Sequence, residues 1–269
     1  MNSRKTGWED CNETTPARAG HMHGAAMTAS ESAALHVKVW RGSDRGAFQA
    51  FSVPRRTHQT VLDVVTEIQR EQDATLSYRF ACRVGMCGSC AMVVNGRPRW
   101  TCRTRVADVV DGDGRLQLEP LRNFTVVKDL AVEMSEFFEK WKDARGFFEP
   151  GPTPEKDFAV VPPATRERQA ADAGIECIGC GVCYSACDVV TWEPAYLGPA
   201  ALNRAWTLVN DVRDRDQATR LKAVSGGSGC QACHTHMNCT QFCPKAIAPT
   251  YSIAGLKRAV MKQSLRGRG

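Results

Sequence analysis

Strict alternation of apolar and polar positions opens the ordered part of the chain. LHVKVW (35–40) and AFQAFSV (47–53) each read as a strand, and together as a first hairpin. TVLDVVTEIQREQ then sets Val61, Val64, Val65 and Ile68 on one helical face. Next come LSYRF, a cysteine-rich loop, and CAMVVNGRPRWTC, in which Asn95-Gly96 is a strong two-residue hairpin signal. RLQLEP closes this module as a last strand. The period changes in FTVVKDLAVEMSEFFEKWKD, where Leu130, Met134, Phe137, Phe138 and Trp141 fall at helical spacing and predict an amphipathic helix that core packing explains. A Pro/Gly-rich link, EPGPTPEKDFAVVPP, suggests a domain boundary near 145–163. Beyond it, GPAALNRAWTLVNDV, DQATRLKAV and PTYSIAGLKRAVMKQ are helical patterns surrounding further cysteines.

The length of 269 residues leaves room for about two domains, and 43% hydrophobic content is enough for their cores. No apolar run approaches the roughly 18 residues of a spanning helix. The excess charge of +6 equals that of the tail: Lys245, Lys257, Arg258, Lys262, Arg266 and Arg268 meet no acid from 245 to 269. Such a tail suits anionic headgroups or an acidic partner, and equally a solvated helix end. Nucleic acid gains little support, because the charge lacks interleaved aromatics. Residues 1–34 are poor in branched apolar residues and hold neither a signal-peptide core nor, with Glu9, Asp10 and Glu13, the composition of a transit peptide. They are expected to be a disordered extension, or to precede a true start at Met22 or Met27, and His21 and His23 are expected to be unstructured rather than metal-bound. SGGSG (225–229) and DGDG (111–114) read as turns, and no dinucleotide fingerprint occurs.

Thirteen cysteines change the picture. An odd total in dense combs favours metal ligation in a reducing compartment over disulfides, and a cytosolic location. Cys82, Cys87, Cys90 and Cys102 have the C-x4-C-x2-C-x11-C spacing of a plant-type 2Fe-2S site, with Gly85 and Gly88 allowing close backbone approach. Zinc sites instead pair C-x2-C units. Cys177, Cys180, Cys183 and Cys187 make a bacterial-ferredoxin comb, in which the fourth cysteine serves the other cluster. That crossover assigns Cys177, Cys180, Cys183 and Cys243 to a 4Fe-4S cluster. Cys187, Cys233 and Cys239 remain for a second, and His236 stands where a thiolate is expected, so three thiolates and a 3Fe-4S cluster are the economical expectation. Retention of a fourth iron by His236 or Cys230 stays open, as does a tuning role for His236. Three clusters with no flavin or substrate motif read as a wire between redox partners.

CRVGMCGSC, NGRPRWTC, NFTVVKDL, CIGCGVC, LGPAAL, CHTHMNCTQFCPKAIAPT and the order of the combs closely resemble the iron-sulfur subunits of succinate dehydrogenase and fumarate reductase, over roughly residues 35–262. The expected fold is α+β. A disordered extension (1–34) precedes an N-terminal β-grasp plant-type ferredoxin domain with the connecting helix (35–145), and an all-α bacterial-ferredoxin-like domain with the basic tail follows (146–269). The resemblance implies an FAD-containing flavoprotein partner, membrane-anchor subunits, a quinone as acceptor or donor, and a position on the cytoplasmic face of a bacterial inner membrane. By position, Trp192 and His234 match residues that line the family's quinone pocket, whereas without the resemblance Trp192 reads as core. Four departures cluster there: Asp188 for a usual Pro, Thr191 for a common Trp, Ala232 for a usual Arg, and His236 for an aliphatic residue. They leave the cluster ligands intact and put the acceptor in question. A free ferredoxin-like carrier, or a fumarate reductase fed by a non-quinone donor, are the rival expectations.

Overall fold

β1 (Ala34–Gly42) and β2 (Gly46–Pro54) pair antiparallel, Leu35 opposite Val53 and Val39 opposite Gln49. The structure, a computed structural model, describes residues 34–152 and 160–266. The expectations for the N-terminal extension, His21 and His23 and the middle of the 145–163 link therefore lie outside the described residues; of segment 1–34 only Ala34 is described, as the first residue of β1.

α1 (Val61–Glu67) begins where Thr60 and Asp63 cap each other: the Asp63 N–H donates to the Thr60 hydroxyl oxygen at 3.3 Å, and the Thr60 N–H to Asp63 Oδ2 at 2.9 Å. A π-helical turn, Ile68–Gln72, extends it. Val61, Val64, Val65 and Ile68 are fully buried against the sheet, as their spacing predicts, each burial contributing about 1.5–3 kcal/mol. Leu76–Phe80 carries no regular element. β3 (Ala91–Val94) and β4 (Arg97–Trp100) form the second hairpin around Asn95-Gly96, both residues at positive φ. β5 (Arg115–Glu119) runs parallel to β1 and antiparallel to β3, giving a mixed five-stranded sheet of order β2-β1-β5-β3-β4.

The segment read as one long helix from Leu130 to Trp141 divides in two. β6 (Val126–Lys128) and β7 (Ala131–Val132) form a small hairpin, and α2 (Ser135–Asp143) starts only after Met134. The cause is Asp129. Its carboxylate, almost fully buried, accepts from Arg41 Nε (3.1 Å) and from the N–H groups of Gly42 (2.9 Å) and Ser77 (2.9 Å), tying this segment to β1 at a positive φ of 54°. Glu133 then starts the helix by accepting from the N–H groups of Met134 and Ser135.

The second half is helical: α3 (Arg166–Ile175), α4 (Val182–Ser185), α5 (Asp188–Trp192), α6 (Gly198–Val209), α7 (Gln217–Ala223), α8 (Asn238–Gln241) and α9 (Pro249–Arg266). α6 is its axis. Asn203, buried on α6, donates to the Gly174 carbonyl (3.0 Å) and accepts from the Ser252 hydroxyl (2.8 Å), fastening α3 and α9 to it. Phe137 of α2 packs into this helical core with Tyr184 and Tyr196, so α2 serves the second half as well as following the first. Arg220 and Asp214 form a fully buried ion pair at 2.8 Å, and Asp214 also accepts from the N–H groups of Glu149 and Asp216. SGGSG and DGDG are turns. No helix among the described residues is long and apolar enough to cross a membrane.

Candidate metal centres

The loop from Cys82 to Cys90 winds repeatedly through left-handed backbone conformations, at Arg83, Gly85 and Gly88. Such winding turns successive N–H groups inward and makes a nest for negative charge. The N–H groups of Val84, Met86 and Cys87 lie 3.5, 3.2 and 3.3 Å from Cys82 Sγ, and that of Cys82 lies 3.5 Å from Cys87 Sγ. The Cys82 N–H and the Ser89 hydroxyl draw the Cys87 thiol down to about 6. Cys90 and Cys102 lie deeper, on either side of the β3–β4 hairpin, and burial with the neighbouring Cys90 sulfur pushes Cys102 up to about 11. The structure thus brings together the four cysteines predicted for the first comb.

Gly88 is also where the two halves meet. A Cβ there would lie 2.4 Å from the Cβ of Cys180, at a φ of +72° that side chains disfavour. Trp100, at the end of β4, turns its buried indole N–H away from any oxygen or nitrogen and toward Cys180, whose thiolate it favours. Trp100 carries no spacing signal in the sequence, and only its place one strand from the first comb and one contact from the second reveals it.

Cys177, Cys180, Cys183 and Cys243 line a single cavity with Gly179, Gly181 and Ile247. Burial raises the Cys177 thiol, with Cys243 close enough to add to the effect, and pushes Cys180 up to about 11. Cys183 is raised furthest, by burial and then by the nearness of Cys180, Cys177, Cys239 and Cys243. Cys187 is pushed to about 11 by burial, with Cys239 and Cys233 as its sulfur neighbours and the N–H groups of Val190 and Val189 opposing. Burial raises Cys239 against the hydroxyls of Thr250 and Thr240, the first at 3.4 Å from its sulfur. The buried Tyr196 hydroxyl sits among Cys233, Cys187 and Cys239. Two groups of thiols result, in the crossed arrangement expected from the spacing, with Cys183 and Cys239 as the point where they approach.

Among the described residues no three His, Cys, Asp or Glu side chains converge tightly enough for a single metal ion. Thiolates at the corners of a cluster stand further apart than ligands on one ion, because irons and bridging sulfides lie between them. The all-thiol donor sets, the inward N–H groups and the cysteine-lined cavity fit iron-sulfur clusters. Cluster binding displaces the protons that burial holds on the deeper thiols.

His236 is half-exposed, and its Nδ1 lies 3.0 Å from Asp188 Oδ2, which also accepts from Asn238 Nδ2 at 3.3 Å. Its ring meets Trp192 edge-on, centroids 5.5 Å apart, and lies 6.1 Å from the ring of His234. Trp192 is 65% exposed, not core. Thr191 donates to Asn123 Oδ1 instead of joining this face. Cys230 is fully buried, with its thiol 3.2 Å from Gln231 Oε1. The basic tail is partly engaged: Lys245 pairs with Glu176 at 3.0 Å and Lys257 donates to the Cys233 carbonyl at 2.7 Å.

Residues 36–139 match a family model described as a 2Fe-2S iron-sulfur cluster binding domain, and residues 174–247 one described as a 4Fe-4S dicluster domain. The fumarate reductase iron-sulfur subunit of Mycobacterium tuberculosis is 35% identical over 219 residues, covering 81% of this chain and 88% of the relative. The mitochondrial succinate dehydrogenase (ubiquinone) iron-sulfur subunit 1 of Oryza sativa is 35% identical over 199 residues, 74% of this chain and 70% of the relative. A chain of the Mycobacterium smegmatis Sdh1 complex in the apo form aligns with a TM-score of 0.77 at 27% identity, covering 86% of this chain and 97% of that one. Three cysteine groups in sequence and in space, on a fold shared with these relatives, mean that the chain belongs to the iron-sulfur subunits of the succinate dehydrogenase and fumarate reductase family.

Proposed function

We propose that this chain carries electrons between the FAD of a flavoprotein subunit and a membrane quinone through three clusters in series. In this reading Cys82, Cys87, Cys90 and Cys102 hold a 2Fe-2S cluster, Cys177, Cys180, Cys183 and Cys243 a 4Fe-4S cluster, and Cys187, Cys233 and Cys239 a 3Fe-4S cluster. The first belongs to a β-grasp domain (35–145) and the others to an all-α domain (146–269). When bound, the clusters supply one-electron carriage, which no side chain of this chain offers.

The chain's own part is to ligate, to turn N–H groups toward sulfur, and to keep the thiol groups adjacent. The observation carrying the proposal is that adjacency: Gly88 of the first loop touches Cys180, and Cys183 neighbours both Cys180 and Cys239. A series of carriers needs such contacts, whereas separate metal sites do not. Trp192 and His234 are proposed to meet the quinone beside the last cluster. Membrane-anchor subunits would then hold the assembly at the cytoplasmic face of a bacterial inner membrane.

Low-temperature electron paramagnetic resonance of the oxidised protein, with iron counted on the same sample, tests the ligand sets. A 3Fe-4S cluster is paramagnetic when oxidised and the other two types are silent. A strong oxidised signal with about nine irons per chain is expected. A silent oxidised sample with about ten irons would instead assign a fourth iron to His236 or Cys230. Native purification as a flavin-containing complex is expected, and a free monomer would overturn the assignment to a complex.

A further inference from the structure

Two of the four departures from the family pattern, Asp188 and His236, lie 48 residues apart in sequence and form one hydrogen-bonded pair in space. A carboxylate oxygen accepts, so the proton of this contact sits on Nδ1 of the imidazole. Asn238 donates to the same oxygen and steadies Asp188, and Trp192 packs edge-on against the ring, so Asp188 and Trp192 together hold His236. The loop itself is fixed at a cost: Thr235 and Met237, on either side of His236, adopt φ values of 62° and 67°, a region that a β-branched residue strongly disfavours. A surface histidine with no task keeps its rotamer freedom. This one has lost it, while its Nε2 makes no hydrogen bond to any described residue.

The surroundings of Nε2 indicate what it meets. Trp192 and Met237 leave 65% and 53% of their surface in water beside it, and His234 is exposed next to them. An aromatic and thioether surface with one pre-oriented hydrogen-bonding atom suits a flat ring bearing a polar oxygen. We infer that His236 Nε2, left an acceptor by the proton on Nδ1, takes a hydrogen bond from a hydroxyl of the reduced quinone (the quinol), and that Asp188 is the positioning residue that holds the imidazole for it. The inference rests on the quinone-linked reading above and adds the acceptor-side pair to it.

The test uses the intact complex reducing fumarate with a short-chain quinol as electron donor, and succinate oxidation by ferricyanide as a control that bypasses this subsite. His236→Ile and Asp188→Ala are each expected to raise the quinol KM about tenfold, as for one lost hydrogen bond, with the double variant no worse than either. His236→Gln, which keeps an acceptor in its Oε1, is expected to recover part of the loss. The oxidised resonance signal of the last cluster and the ferricyanide rate are expected to stay unchanged. A quinol KM within about twofold of the parent in both single variants would overturn the inference while leaving quinone-linked transfer intact. Loss of the oxidised signal in Asp188→Ala would overturn it too, by assigning Asp188 to cluster retention. A parent complex that reduces ferricyanide but no quinone would remove the acceptor reading itself.

Discussion

The exposed cysteine loop of the sheet half and the helical half prepare sulfur for iron in opposite ways, with Cys102, buried and pushed up to about 11, on the side of the helical set. In the sheet half the Cys82–Cys90 loop lies near the surface, and the Cys82 N–H and the Ser89 hydroxyl stabilise the thiolate directly, so Cys87 is drawn to about 6. In the helical half the thiols are sunk among Val182, Tyr184 and Leu197, and burial outweighs the N–H groups that face them, so Cys180 and Cys187 rise to about 11. Backbone dipoles make a ready anion site at little cost in burial. A buried site holds its protons until metal takes their place, and in return shields the cluster from water. A chain that carries both has one cysteine loop near solvent and its other thiols wrapped by its own core.

The same division extends to stability. Each half closes around one buried carboxylate: Asp129 gathers β1, the segment after α1 and the small hairpin, while Asp214 gathers Arg220 and the turn before α7. Asp214→Ala leaves Arg220 charged with no surface exposure, and is expected to cost about 3–5 kcal/mol in chemical unfolding of the holo chain. Asp129→Ala, whose partner Arg41 keeps 17% exposure and a second acid in Asp73, should cost clearly less. Equal costs would erase the contrast between the halves.

Thiol labelling of the cluster-free protein probes the contrast next. At pH 7 the thiolate population of Cys87 should exceed that of Cys180 by about four orders of magnitude, offset by about two through the lower nucleophilicity of the more acidic thiol. Alkylation at Cys87 should therefore run about a hundredfold faster, as peptide mapping would reveal. The pH dependence of unfolding follows with opposite signs. Cys87 lies below its ordinary value of 9.0, so its contribution to stability is complete above about 9 and is lost as pH falls through about 6. Cys180 and Cys187 lie above it, so theirs is complete below about 9 and is lost as pH rises through about 11. A cluster-free chain that lost stability only on the acid side would contradict the burial of the second set.

Gly88→Ala tests the seam itself. A positive φ and a Cβ driven into Cys180 together predict a loss of about 2 kcal/mol, with altered resonance signals from clusters on both sides of the contact. Thr235→Gly is expected to act in the other direction and more weakly. Removing a β-branched residue from φ 62° should stabilise the fold by about 1 kcal/mol in thermal unfolding.

The local features were legible because their signals are local. Alternation gave β1 and β2, Asn95-Gly96 gave the β3–β4 turn, and cysteine spacing gave the grouping across 177–243. The long helix predicted through Leu130 was lost to Asp129, whose partners Arg41, Gly42 and Ser77 lie more than 50 residues away and leave no mark on periodicity. A separation of 48 residues likewise hid the pairing of Asp188 with His236, although each alone stands out. Trp100 and the exposure of Trp192 were invisible for a plainer reason: one residue type serves equally as core, sulfur neighbour or docking surface, and only its neighbours tell which.

The contact between Gly88 and Cys180 has a bearing on how far these halves are interchangeable. Tunnelling between redox centres weakens steeply with every added layer of atoms, so a glycine here sets the width of the gap as well as the shape of a turn. A graft that joined this sheet half to another helical half would bind its metals and still conduct poorly, unless the incoming surface also presented a residue flat enough to let two backbones touch.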